Sequence, residues 1–330
     1  MLLRLFVELG ELDHAFCAAQ SLVLLGRADG DERTLFEQYR PRSPVRARSR
    51  MNEELWQQSL FHPDEDRLLS HMFGLVGSTV AAARGKPHKD CGLKRKRRCD
   101  VAADPTMFCR ALAYGSMVLG VPWPEVYLAP ETAGGVDLVN ARDGLVPVPA
   151  IVVGRDALEG RTDIELAFLV GFNLTLLRPD HLVRWRSVVP SAGELEAVAR
   201  AALKVVASQL EVPPELADAV AQYEAHLDKM LPPAANEQLG VIVKRFVANG
   251  AAVDVARWTR AVGFTAARAG LLLAGDLETA ARLSRTLAAA EGADGDEVAR
   301  DLVVWNVSEP YFTLRDQLGL GAVSLDAALR

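Results

Sequence analysis

Apolar positions along this chain recur at helical spacing almost throughout, and one stretch breaks the pattern by having no polar face at all. From Asp163 to Leu177, Ile164, Ala167, Phe168, Gly171, Leu174 and Thr175 form one side of a helix, while Leu166, Leu169, Val170, Phe172 and Leu176 fill the others. A helix apolar all round must be covered by protein on every side or lie in a membrane. This segment is too short to cross a bilayer and carries Asp163 and Glu165, so it is expected to be the buried central helix of a folded domain. Thr162 or Asp163 can cap its start, and Arg178-Pro179 ends it.

The remaining pattern predicts helices on both sides and a small sheet just before the central helix. Leu2, Leu5, Phe6 and Leu9 make one stripe, Gly10 breaks it, and Leu12 to Leu25 make a second helix. After a connector with five arginines over 40–50, a helix is expected over about 51–60 and a longer one from His62-Pro63 to roughly Arg84. Gly85 to Asp104 reads as a polar loop, and Asp104-Pro105 as the cap and first position of a helix reaching Leu119. Glu125–Ala129, Gly135–Asn140 and Pro149–Val153 are short β-branched runs bounded by Gly and Pro, the signature of strands. Beyond about residue 155 all is helix: 162–177, 191–209, 213–229, 234–248, 252–273, 276–289, 294–306 and 309–318, with Asp276 as an N-cap. The expected fold is therefore mainly α, an α+β domain with one small sheet near 125–153. The expected division is a hairpin and basic connector over 1–50, then the main domain over 51–330.

Composition narrows the class without naming a function. Half of the 330 residues are hydrophobic and the net charge is −6, which suits a globular, helix-rich protein and dictates no partner. No run of about 18 uninterrupted apolar residues predicts a membrane span. The first ten residues carry Arg4 and Glu8 within their apolar part, so no secretory signal is expected. Four scattered cysteines suit a reduced, cytoplasmic location.

Strand-like segments, a short helix and then an apolar helix bearing Val170-Gly171-Phe172-Asn173-Leu174-Thr175-Leu176 resemble the core of gluzincin metallopeptidases with a membrane-peptidase-like catalytic domain. In that family the helix carries His-Glu-x-x-His after Leu-Gly or Val-Gly. The resemblance sets Phe172 and Leu176 at the two zinc-ligand positions and Asn173 at the general base. Further on, Arg260-Ala-Val-Gly263-Phe-Thr-Ala266-Ala267-Arg268-Ala-Gly270 is similar to the segment bearing the third ligand, with Gly263 at the glutamate position and Ala267 at an aspartate. Phenylalanine and leucine do not coordinate zinc, and asparagine is a poor proton acceptor. What the resemblance implies is thus a pseudoenzyme, with no metal and no cofactor in that site. The start, Leu5…Leu9-Gly10-Glu-Leu-Asp13-His-Ala15, is similar to a tetratricopeptide helical hairpin, and the whole resembles C-terminal regions of bacterial tetratricopeptide-repeat proteins.

In this reading Phe172 and Leu176 are core residues, Thr175 bonds a carbonyl one turn earlier, and Asn173 finds a backbone partner. His88, Cys91, Cys99 and Cys109 follow the order His-x2-Cys-x7-Cys-x9-Cys, lack paired close spacings, and are read as separate reduced thiols rather than a zinc site. His62, His71, His181 and His226 are scattered and are read as surface or cap residues. The densest charge, Lys94, Arg95, Lys96, Arg97 and Arg98, is the candidate partner-binding segment. The expected role is a non-catalytic scaffold or protein-interaction module with a protein partner. The alternatives are an enzyme of another class working in the former cleft through Glu165, Asn173, Arg178 and Asp180, and a nucleic-acid-associated protein using the basic loop 94–98.

Overall fold

The computed structural model describes residues 2–144, 146–250, 253–290 and 293–321. It is mainly helical with one five-stranded mixed sheet. Three helices open the chain: α1 (Leu2–Glu8), α2 (Leu12–Leu24) and α3 (Gly30–Tyr39). Gly10, at φ +77°, turns the chain between α1 and α2, a conformation that favours glycine. α2 is tied to the far end of the sequence: Asp13 takes a bidentate ion pair from Arg315 at 2.6 and 2.7 Å, and the Cys17 carbonyl accepts from Asn306 Nδ2 at 2.6 Å.

A three-residue α4 (Glu53–Leu55) runs into a π-helical turn, Trp56–Leu60. α5 spans Arg67–Arg84, starting later than the His62-Pro63 expected from sequence. Asp66 is its cap, accepting from the Leu68 and Leu69 N–H groups, which leaves 62–66 as a turn with Glu65 buried and Pro63 exposed. α6 (Met107–Leu119) likewise starts after Asp104-Pro105. Asp104 instead folds onto the Thr106 N–H at 2.9 Å, and Thr106 caps the helix. Between these helices lie β1 (Lys86–Pro87) and β2 (Arg98–Cys99), followed after α6 by β3 (Glu125–Ala129), β4 (Val136–Asp143) and β5 (Val146–Gly154). The strand order is β1-β4-β5-β3-β2, with β3/β5 parallel and β4/β5 antiparallel. The two outer strands, two residues each, are too short to leave a pattern in sequence.

After the short α7 (Arg155–Leu158), the all-apolar helix is α8, Asp163–Leu176, opened by a capping box between Thr162 and Glu165. α9 (Ala192–Lys204), α10 (Ala217–Met230), α11 (Pro233–Ala248), α12 (Val255–Ala274), α13 (Leu277–Ala290), α14 (Gly295–Trp305) and α15 (Glu309–Leu318) complete the chain. Asp276 accepts from the Thr279 N–H at the head of α13, as expected.

Why α8 has no polar face is visible in its position. α8 and α12 lie between two buried clusters: Ile164 to Leu174 and Ala267 to Ala274 belong to one, Leu176 and Val255 to Ala266 to the other. The two helices approach until their backbones touch. A Cβ on Gly171 would stand 2.6 Å from the Ala269 carbonyl oxygen, and one on Gly270 would stand 2.6 Å from the Phe168 ring. Glycine is the residue that permits this distance. None of the helices among the described residues is long and apolar enough to cross a membrane.

Candidate functional site

The positions singled out on α8 are occupied as a packed helix requires. Asn173 donates Nδ2–H to the Leu169 carbonyl at 2.7 Å, and Thr175 donates to the Gly171 carbonyl at 2.9 Å. Leu176 is buried and Phe172 half-buried. Phe172 and Gly263, far apart in sequence, line one cleft of about 250 Å³ together with Phe264, Leu287, Val298 and Arg260. Ser284 also lines it; the residue is 2% exposed and its Oγ has no hydrogen-bond partner. A buried hydroxyl without a partner is uncommon and calls for an explanation. Gly263 itself has open space where a Cβ would sit. Gly263→Ala is therefore expected to stabilise the chain by about 0.5–1 kcal/mol through helix propensity, read as a rise in the midpoint of urea unfolding.

The four polar residues held in reserve for another chemistry do not converge. Glu165 sits at the head of α8, in the capping box and paired with Arg282 at 2.6 Å. Arg178 and Asp180 lie past the other end, paired with each other at 3.0 Å, with Glu53 also on Arg178. The helix between them is 14 residues long, about 20 Å at helical rise.

His181 is fully buried and not a surface residue, and it caps the end of α8 from inside the core. Its Nε2 lies 2.8 Å from Glu65 Oε1 and its Nδ1 lies 3.0 Å from the Thr175 carbonyl. Both partners are acceptors, so both ring nitrogens carry hydrogen and the ring is the imidazolium cation. Burial opposes that charge, yet Glu65 and Asp180 outweigh it and raise the His181 pKa. Burial also opposes the Glu65 carboxylate, but the His181 cation and the donors His181, Thr265 and Ser70 hold its pKa below the usual value. The network continues from Trp258 Nε1 to Ser70 Oγ at 2.8 Å and from the His62 N–H to Thr265 Oγ1 at 2.9 Å. His62 is mostly buried too, with Nε2 3.3 Å from Asp301 Oδ1. A signal for His181 was present in the sequence. A buried helix end leaves carbonyls that need donors, and His181 and Trp185 supply them to Thr175 and Leu176. Ser70 donates to Glu65 and accepts from Trp258, so the set ties α5, the turn before it and α12 together.

In the basic segment, Arg97 pairs with Glu131, and Arg98 with Glu125 at 2.9 Å. Lys94, Arg95 and Lys96 are exposed and show no ion pair among the described residues. Changing these three to Ala together is expected to move stability by less than about 0.5 kcal/mol per residue, checked by thermal melting.

The cysteines are not all separate thiols. Cys99 Sγ and Cys109 Sγ stand 3.4 Å apart, and with Asp104 they form a group whose ligand atoms all lie within 4.8 Å of one another. His88 and Cys91 are elsewhere, the first on Glu125 at 2.9 Å and the second on the Lys86 carbonyl at 3.6 Å. β2 and the first turn of α6 bring together what ten residues of sequence kept apart.

Comparison of the chain with protein-family models, curated proteins and solved structures finds no match.

Proposed function

We propose that this chain is a non-catalytic protein-interaction module built on a frame that resembles a zinc peptidase, and that the cleft between Phe172 and Gly263 receives an apolar side chain of a partner. The observation that carries this reading is the character of that cleft. Its exposed wall is largely aliphatic and aromatic, with the charged side chains of Arg260 and Glu297 also lining it. A pocket of this kind anchors an apolar group and orients it through a few polar groups in its lining. The positions the resemblance assigns to the ligands and base hold Phe172, Asn173, Leu176 and Gly263, which supply neither a metal ligand nor a proton acceptor. Of the polar candidates for another enzyme, Arg178 and Asp180 pair with each other, Glu165 with Arg282, and Asn173 with a backbone carbonyl of its own helix.

Selection of displayed random peptides on the immobilised chain tests this. Convergence on peptides that share an apolar anchor is expected, with binding lost by Gly263→Trp, which fills the cleft from a position with room for a side chain. Peptides that bind Gly263→Trp as well as the parent would sink the assignment of the cleft. Association with nucleic acid through Lys94, Arg95 and Lys96 would instead show as binding that weakens steeply with salt.

A further inference from the structure

The geometry points to a metal site formed by Cys99, Asp104 and Cys109, taking a borderline-soft divalent cation of the zinc class. Cys99 ends β2, where it is paired with Val126 of β3. Cys109 lies in the first turn of α6, its N–H facing the Thr106 hydroxyl. The intervening loop is fixed by its own bonds: the Ala103 and Asp104 N–H groups donate to the Asp100 carbonyl at 3.1 and 2.8 Å, and Val101 is buried. Asp104 uses Oδ1 for the Thr106 N–H, and its second oxygen remains for a metal.

The two sulfurs, 3.4 Å apart, are too distant for a disulfide bond of about 2.05 Å. Two thiolates on a tetrahedral zinc ion, with Zn–S near 2.3 Å, stand about 3.7 Å apart, so small side-chain shifts complete the site. Two sulfurs and one carboxylate select zinc, cobalt or cadmium over the oxygen-preferring magnesium and calcium. On binding, the two thiols lose their protons to solvent, and M²⁺ with two thiolates and one carboxylate carries a net charge of −1. Three protein ligands leave a fourth position for water, and Cys99 opens onto a cleft of about 560 Å³ lined by Arg95, Arg98, Asp100 and Trp123. Those arginines suit the negative charge of the loaded site.

The test uses the full chain, reduced and stripped of metal, titrated with Zn²⁺ against a chromophoric chelator and with Co²⁺ by absorbance. One equivalent of zinc and a thiolate-to-cobalt charge-transfer band are expected. Cys99→Ser should lose both, and Asp104→Asn should weaken binding at least about tenfold, the loss seen even for groups that only support a ligand. Cys91→Ser and His88→Ala should bind as the parent does. Circular dichroism establishes that each variant is folded, and Cys99→Ser and Asp104→Asn lie outside the deep core that Cys109 occupies. Folded, reduced protein that takes up no metal overturns the proposal. So does uptake unchanged in Cys99→Ser, or uptake that follows His88 and Cys91. A Cys99–Cys109 disulfide whose reduction yields no metal affinity overturns it as well.

Discussion

Glu65→Gln is expected to cost about 3–5 kcal/mol of folding stability, because it leaves the His181 cation buried without its counter-charge. The amide also forfeits acceptor capacity that Ser70 and Thr265 use. The pH dependence of that loss follows from the two titrations. The His181 pKa is raised above its ordinary value of 6.5, so its contribution is complete below that value and fades as pH rises through the raised pKa. The Glu65 pKa is lowered from 4.5, so its contribution is complete above that value and fades as pH falls through the lowered pKa. Both are whole between about pH 4.5 and 6.5, where the difference between parent and Glu65→Gln should be greatest. Urea unfolding of both proteins across pH 4–9 measures it, and a difference that grows above pH 8 would show that His181 is neutral in the folded chain.

Gly171→Val is expected to abolish the cooperative unfolding transition altogether. Its first carbon would stand 2.6 Å from the Ala269 carbonyl oxygen, and α12 backbone cannot yield as a flexible side chain would. The milder Gly171→Ala should cost about 1–3 kcal/mol by overpacking. The contrast with Gly263→Ala isolates the cause. Gly263 belongs to α12 itself, one of the two helices in that contact, has nothing within 4 Å of a Cβ, and should stabilise. Urea midpoints of opposite sign for the two glycine-to-alanine changes are the expected result. Equal effects would mean that helix propensity alone governs both.

What the sequence disclosed and what it hid divide along physical lines. The helical pattern of the second half was legible because long amphipathic repeats and their caps are local: α15 runs from Glu309 to Leu318, as expected, and Thr162 and Asp276 cap as expected. The burial of α8 was legible because an all-apolar helix has no other place to lie. The bonds of Asn173 and Thr175 were legible because each closes within four residues. The Glu65–His181 pair spans 116 residues, and no periodicity reports a contact between two loops. Cys99 and Cys109 escaped notice as a pair because neither two-residue β2 nor the true start of α6 could be read from local pattern. With Asp104-Pro105 taken as the helix start, Cys109 fell inside the helix and not at its rim. Phe172 and Gly263 were linked only through the resemblance, and their meeting at one cleft is what makes that frame testable.

The most direct test restores what the proposed frame has lost. On α8, residues 172 and 176 share a face, and Gly263 faces the cleft that Phe172 lines. Phe172→His, Leu176→His and Gly263→Glu would be combined in a Cys99→Ser background, which removes the other metal site proposed above. Zinc uptake is then measured by elemental analysis and titration, alongside circular dichroism to establish that the protein is folded. One equivalent of zinc is expected in the triple substitution and none in the Cys99→Ser parent. A folded triple variant that binds no zinc would contradict the proposed frame, and would leave the likeness to zinc peptidases a matter of sequence pattern alone.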